Sequence, residues 1–492
     1  MTLRIGDAYG GFHGFNEAFY ALYAQKYFGH PLAYLITGAT DFNNPPLLSY
    51  LLFLSFKILG VGEAQARLVP IIFSLLTLIY VYRLGTILYG KLAGLISAAF
   101  LGVFPAFVVV GRNVQLEAIF IFFAVTSLFY YIKSAQSQEF KNKCIAGLFL
   151  GIGLLGKWPA VFIIAPIVAW EFSRSRSLRW INRTFACFIL VAFAVPLPWV
   201  AYHLIKNSET FLGQQGVRAA TFQMPSWVIF VNSMLIEFIW MVSPLVFALV
   251  VASVVRLFWQ RKQADWMLIS GGAVYGLFYF FYFQHSYYVF PLLIFAALAL
   301  GQLLASIPRR VLLPVIGFIV LTTAFLALVA LSGHKYGYDE LRQLGGVVDD
   351  AEGNQNIIWV SQDTHGSFEP IIRYYSGASV RIKEEAAEND MKQIPPGENV
   401  FLLARIPAGQ KYTSDKAAGF HVLDRTIFGP VLFGLAFVED PYRSHFFAVG
   451  GIKTLKAGGL TAFGIRPVGK DPTWAVLDLT RYREHAMATR KL

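Results

Sequence analysis

Charge is scarce in this chain of 492 residues: Asp, Glu, Lys and Arg together make up 14% of it. Soluble globular proteins carry about 25%, and disordered chains are richer in charge still. The shortage excludes an ordinary soluble enzyme and a disordered protein. Cysteine is scarcer: Cys144 and Cys187 are the only two, each in or beside an apolar segment. Two such residues make neither a zinc spacing nor a disulfide framework. No internal repeat and no low-complexity segment occurs.

What fills the chain is apolar. Hydrophobic residues reach 56% and aromatic ones 16%, and the mean hydropathy is +0.54. Phe and Tyr, 45 and 24 in number, suit lipid-facing helices with rings at the membrane interface. The formal net charge of +12 is unevenly placed. Residues 333–492 hold 19 acidic and 19 basic side chains, whereas residues 1–332 hold 10 acidic and 22 basic. The basic excess thus lies wholly in the apolar part. That is the pattern of loops that orient a membrane protein, and it excludes a nucleic-acid surface.

Crossing ~30 Å of hydrocarbon takes about 20 residues. Such runs lie near 68–89, 92–111, 113–132, 184–203, 228–256, 266–283, 287–306 and 310–332. The segment 143–172 is ambiguous, because Gly156-Lys157-Trp158-Pro159 breaks it. Positive charge resolves it. Arg83 with Lys91, Lys133 with Lys141 and Lys143, Arg174 to Arg183, Arg256 to Lys262, and Arg309 with Arg310 all become cytoplasmic only if 143–172 crosses twice. The expectation is a short hairpin, 143–156 and 158–171, with Lys157 at its outer tip. Each half spans only about 21 Å, so the tip should sit below the outer surface. About ten spans follow. Residues 1–67 form a first outer loop, 68–332 the membrane domain, and 333–492 a small soluble α/β domain on the outer side. Within the first loop, PLLSYLLFLSFKILG at 46–60 suits an interfacial helix.

Only ten carboxylates occur before residue 333, and each is costly near lipid. Asp7, Glu17, Asp41, Glu63, Glu117 and Glu209 fall on the outer side. Glu139, Glu171 and Asp265 accompany cytoplasmic basic loops and are expected to be solvated, and Glu237 lies about 15 Å into a span by helix rise, facing a cavity or pairing with a polar neighbour. Glu17 follows Asn16, a good helix cap, and Glu117 heads a span where a helix N-terminus favours an anion. Each acid has that local role open to it. Brought to one cleft, the two would instead supply a general base and a group that positions an acceptor. Arg67, Arg112, Lys157 and Arg218 on the same side would hold a phosphate, although any one of them could simply snorkel. His13, His203 and His285 share no ligand spacing and are expected to be satisfied polar residues.

At these residues the chain resembles the polyprenyl-phosphate-dependent glycosyltransferases of the GT-C fold, within the protein-mannosyltransferase and lipid A aminoarabinose-transferase superfamily. The similar stretches are NEAFYALYAQKYF, NNPPLLSYLLFLSFKILG with Arg67 after it, GRNVQLEAIF, GIGLLGKWPAVFIIAPIVAW, PWVAYHLIKN and YYVFPLLIFAAL, in the family order over residues 12–300. The resemblance implies an all-α multi-pass membrane fold and a sugar donor carried on a polyprenyl phosphate. The acceptor would be a lipid, glycan or protein, with membrane lipids as surroundings and no nucleic acid. The family's Asp-Glu pair becomes Asn16-Glu17, which shifts the base role to Glu17. Its Lys-Pro-Pro becomes Asn44-Pro45-Pro46. Glu117, Lys157 and Arg218 match family positions. Some relatives use an acid and a histidine as metal ligands; Asn43 and Gln215 stand there, so no metal or other cofactor is assigned. Relatives also have a helix before the first acidic motif, and an upstream start is expected. The implied reaction is an inverting transfer outside the cytoplasm of a bacterial or archaeal plasma membrane. The rival reading is a transporter or flippase for an amphipathic anion.

Overall fold

The structure, a computed structural model, describes residues 5–6, 9, 16–29, 45–137, 140–220, 236–281, 288, 290–333, 342, 355–360, 362–382, 398–406, 420–423 and 473–478, with short strands between 435 and 462. Helices come first: α1 Asn16–Lys26, α2 Leu47–Leu59, α3 Glu63–Tyr89, α4 Lys91–Val103, α5 Pro105–Val110, α6 Glu117–Ser137 and α7 Phe140–Gly156. A 3-10 turn Trp158–Ile163 leads into α8 Ile164–Ser175, followed by α9 Arg183–Ala194, α10 Leu197–Lys206 and α11 Ser208–Ala220. Then come α12 Ile236–Val242, α13 Pro244–Gln260, α14 Gln263–Phe281, α15 Phe290–Leu304 and α16 Arg309–Gly333.

Among the described residues, two helices are by themselves long and apolar enough to cross a membrane, α3 and the 117–135 portion of α6, or up to three spans if the bent pair α9–α10 counts as one. Several of the other expected spans are shorter or broken, and the breaks have local causes. The run 92–111 parts at Phe104, extended before Pro105, where proline disfavours helix in the residue ahead of it. The run 184–203 bends by 47° at Val195-Pro196. In both, apolarity continues through a kink that proline imposes.

The hairpin at 157 is a fold-back. Lys157 is extended (φ −162°, ψ 137°) and ends α7, with Pro159 in the first turn of the segment that follows. Near the start of α7, Lys143 Nζ lies 3.6 Å from Glu171 Oε1 at the end of α8. Tyr131, late in α6, donates its hydroxyl to the same carboxylate at 3.0 Å. Cys144 and Cys187 meet at 2.9 Å between their sulfurs, joining the starts of α7 and α9. The starts of α7 and α9 and the ends of α6 and α8 therefore share one end of the bundle. Tyr89 and Asp265, joined at 2.8 Å, place the end of α3 against the start of α14; Asp265 and Glu171 are thus buried and partnered rather than solvated as expected. Glu117 and Lys157 meet at the end of the bundle opposite that gathered by Tyr131, Lys143 and Glu171.

The outer faces of several helices are apolar. On α16, Val315, Phe318, Leu321, Phe325 and Leu328 are exposed while Ile319, Thr323 and Ala327 are buried. A continuous exposed stripe of this kind suits lipid rather than water. Inside, small residues bring backbones together. A Cβ on Gly94 would sit 2.4 Å from the Tyr82 carbonyl oxygen and 2.8 Å from the Thr86 amide nitrogen, so α3 and α4 approach only because Gly94 has no side chain.

The tail carries β1 Gln355–Val360, α17 Gln362–Ser376, β2 Ser379–Ile382, β3 Glu398–Ile406, β4 Phe420–Leu423 and β5 Thr473–Asp478. These strands form a five-stranded sheet in the order β2-β1-β3-β5-β4. Strand β1 is parallel to β2 and β3, and β5 is antiparallel to β3 and β4. Helix α17 is the crossover from β1 to β2. Its Ile371 and Ile372 share an apolar cluster with Ala18, Ala21, Leu48 and Leu52 of α1 and α2. The tail thus docks on α1 and α2.

Replacing Gly94 by Val should overpack the α3–α4 crossing at a cost of about 1–3 kcal/mol. A lower thermal midpoint in detergent than for wild type is the expected reading; an unchanged midpoint would refute the close approach.

Candidate active site

The first acid is locked in a buried pair. Glu17 in the first turn of α1 and Arg67 in α3 are both fully buried. Arg67 donates from Nε to Glu17 Oε1 at 3.0 Å and from Nη2 to Oε2 at 2.6 Å, a two-pronged geometry that guanidinium and carboxylate share. The Val114 amide adds a third hydrogen bond to Oε1 at 3.1 Å. Arg67 Nη1 also reaches the Ile5 carbonyl at 2.9 Å. Asn16 opens α1 beside this pair and is half-buried.

The second acid lies one loop away. Residues 111–116 connect α5 to α6 and are buried throughout. Ser74 of α3 holds the loop by donating to the Gly111 carbonyl at 2.9 Å. Arg112 within it is fully buried. The loop delivers Glu117 to the head of α6, where unpaired helix amides favour an anion. Glu117 Oε1 accepts a hydrogen bond from Lys157 Nζ at the hairpin tip, and the same ammonium lies 4.3 Å from the centre of the Tyr288 ring. Among the described residues, no hydrogen bond engages the second oxygen of Glu117. The hairpin comes this close because Gly156 is small: a Cβ there would already lie 3.2 Å from Phe120 Cβ.

A third layer comes from the tail. The Tyr375 hydroxyl accepts the Tyr9 amide at 2.6 Å and donates to Glu63 Oε1 at 2.9 Å. Tyr9 donates its hydroxyl to the Gly62 carbonyl at 3.3 Å, and its ring centre lies 5.8 Å from the Arg67 guanidinium carbon. Burial, reinforced by the Glu63 charge, pushes the Tyr375 hydroxyl well above the usual phenol range. Burial pushes neighbouring Tyr374 up to about 12. Both rings therefore stay protonated donors at neutral pH. Helix α17 is tied in this way to the start of α3, one turn from Arg67.

Of the residues expected from sequence, Glu17, Arg67, Arg112, Glu117 and Lys157 come together around the 111–116 loop. Asn44 lies outside the described residues, as does Asn43. Arg218 and Gln215 belong to α11 and Glu237 to α12, but their side chains lie outside the described residues. His203 is buried, with Nδ1 3.2 Å from the Asn207 amide and its ring against Trp199 and Phe211. His13 and His285 lie outside the described residues. Among the described residues no group of three His, Cys, Asp or Glu side chains could hold a metal. Tyr9, Tyr288 and Tyr375 are the neighbours that sequence reasoning missed. Tyr288 could have been found, since it stands in the YYVF stretch that carries the family resemblance. Nothing local marks Tyr375, 366 positions from Tyr9.

Residues 43–203 match the family model of dolichyl-phosphate-mannose-protein mannosyltransferase, a segment that contains Arg67, Arg112, Glu117 and Lys157. The resemblance read from the sequence is borne out there. An uncharacterized protein of Aquifex aeolicus (strain VF5) is 26% identical over 202 residues, which is 40% of this chain and 40% of that protein. The match thus spans less than half the length of this curated relative. The fold is similar to that of ArnT from Cupriavidus metallidurans. Its apo crystal structure superposes with a TM-score of 0.64 at 13% identity, covering 82% of this chain and 89% of that one. ArnT bound to undecaprenyl phosphate gives 0.62 at 13% identity, over 82% and 90%. The apo oligosaccharyltransferase of Archaeoglobus fulgidus gives 0.55 at 13% identity, over 82% of this chain and 66% of that one.

Arg67→Ala should strand a buried carboxylate and cost about 3–5 kcal/mol. A fall of several degrees in thermal midpoint is expected, with a smaller fall for Glu17→Gln, which keeps a neutral acceptor. Equal midpoints for wild type and Arg67→Ala would show that the pair holds nothing together.

Proposed function

We propose that this chain is a membrane glycosyltransferase that moves one sugar from a polyprenyl-phosphate carrier to an acceptor hydroxyl or phosphate on the extracytoplasmic face, with inversion at the anomeric carbon. The observation that carries the reading is the meeting of Glu117 with Lys157 at one end of the bundle, inside the segment that matches the mannosyltransferase family model. ArnT with undecaprenyl phosphate and archaeal AglB with dolichol-phosphate share the fold, which supports a lipid phosphate as the leaving group. The charge asymmetry supports the site's end of the bundle as the outer one, about ten spans in all, and residues 333–492 as an outer domain above the first loop.

In this reading the donor phosphate displaces Glu117 from Lys157. The ammonium then faces a phosphate whose charge grows as the bond to the sugar breaks, an interaction strongest in the transition state. Arg218 would supply the second cation, and Arg112, Asn16 and Asn44 would line the donor. Freed from Lys157, the Glu117 carboxylate takes the acceptor's proton. The acceptor oxygen attacks the anomeric carbon from the face opposite the phosphate. The sugar–phosphate bond breaks, and its electron pair leaves with the polyprenyl phosphate.

The geometry supports Glu117 rather than Glu17 as the base. Hydrogen bonds engage both oxygens of Glu17, and two of them come from a cation. A proton arriving there would have to displace Arg67, whereas Glu117 keeps one oxygen without a hydrogen bond among the described residues. Glu17 is better suited to position the 111–116 loop through Val114.

Two measurements test this. Undecaprenyl phosphate without a sugar, added to purified protein and followed by native mass spectrometry, should bind wild type and Glu117→Gln alike. It should bind Lys157→Ala at least tenfold more weakly; equal retention by Lys157→Ala would overturn the phosphate site. Once the donor that co-purifies is identified, Glu117→Gln should lose about 10²–10⁴-fold in transfer rate. Near-normal turnover in that variant, with loss in a folded Glu17→Gln protein, would return the base role to Glu17.

A further inference from the structure

We propose that a cavity at the other end of the bundle, between the ends of α6 to α9, binds the phosphate headgroup of an anionic phospholipid. The cavity measures about 200 Å³ and is lined by Ser134 of α6, Phe140 and Lys143 of α7, Arg174 of α8 and Thr184 of α9, among others. It is separate from the site of Glu17 and Glu117 and does not rest on the transferase reading.

The lining selects an anion. Two cations face the space, and no carboxylate lines it among the described residues. The nearest one among the described residues, Glu171, is buried beside Lys143 and already engages Lys143 and the Tyr131 hydroxyl. Its single charge leaves the lining net positive. The start of α9 adds the positive end of a helix dipole, with Asn182 capping the Thr184 and Phe185 amides. Lys133, Lys141, Arg176, Arg179 and Arg183 neighbour the lining residues in sequence against one acid, Glu139, a basic excess that raises the local concentration of anions.

The size and the rim select a lipid. A volume near 200 Å³ lies below the ~300–1,000 Å³ of pockets that enclose whole ligands. It holds a headgroup and leaves any chains outside. Chains would find apolar surface at once: Phe140 in the lining is 54% exposed, and Phe172, Leu178 and Ile181 of the adjoining segments are 56%, 66% and 56% exposed. Basic pockets between membrane helices at the positively charged end bind acidic headgroups for these combined reasons. Occupancy would clasp four helix ends whose far ends carry Glu117 and Lys157.

Full-length protein in an uncharged detergent is titrated with phosphatidylglycerol, phosphatidylcholine or inorganic phosphate, and read by native mass spectrometry and thermal midpoint. Wild type should retain phosphatidylglycerol in preference to phosphatidylcholine and melt higher with it. Arg174→Gln, an exposed position that should fold normally, should lose about fivefold in retention, as one surface cation is worth. Lys143→Gln with Arg174→Gln should lose more, while Arg261→Gln, a basic residue elsewhere, should behave as wild type. Equal retention of both lipids, or unchanged retention by the double variant, would overturn the site. Stabilisation by inorganic phosphate equal to that by phosphatidylglycerol would overturn the lipid as its occupant.

Discussion

Three separate pieces of chain converge on one buried carboxylate. Glu17 brings α1, Arg67 brings α3, and the Val114 amide brings the loop before α6. A charge with no water around it tolerates few alternatives, because an unpaired carboxylate in such a place costs several kcal/mol. The pair therefore fixes α1 against the bundle more tightly than apolar contact alone would. Much of the candidate site's shape leans on this point: the Val114 amide ties it to residues 111–116, which lead to Glu117, and Tyr9 ties it to the tail.

The second ion pair differs in kind. Lys157 sits at a break in the chain and Glu117 at a helix start, so each is held by a short backbone lever rather than by a helix interior. An ammonium is a compact charge on a flexible stem and trades partners easily, whereas a guanidinium fork is committed by its geometry. The molecule thus places a rigid pair, Arg67 with Glu17, next to an exchangeable one, Lys157 with Glu117. That division suits a site that must keep its walls while giving up one contact to an incoming phosphate.

Much of this was legible in the sequence where charge and apolarity decide. The distribution of basic loops called for the chain to double back within 143–172, and Lys143 and Glu171 meet as such a fold-back demands. The helices expected at 46–60 and 68–89 are present as α2 and α3. What hydropathy could not register were breaks within continuous apolar runs: 92–111 parts at Phe104-Pro105, and 184–203 bends at Pro196. Pairing was less legible still. The sequence offered two acids and four cations with no rule for matching them. That Arg67 rather than Lys157 takes Glu17 follows from which helix passes α1. The contacts of Tyr375 span 366 and 312 positions, and no local pattern encodes such distances.

The tail's attachment bears on how the site would work. Helix α17 does not rest on the bundle through apolar contact alone. Tyr375 bridges the Tyr9 amide and the Glu63 carboxylate, and Glu63 begins the same helix that carries Arg67 one turn later. A shift of α17 would reach Glu63 and Tyr9 directly, and Tyr9 touches the guanidinium that holds Glu17. The path is short and made of polar contacts at fixed distances, so it has few ways to absorb a displacement. An acceptor engaging the tail would therefore act on the first ion pair before it met the second. Because the Val114 amide answers to the first pair, the loop that presents Glu117 would respond as well. In the proposed reaction, acceptor recognition and the placement of Glu117 would be coupled through that amide.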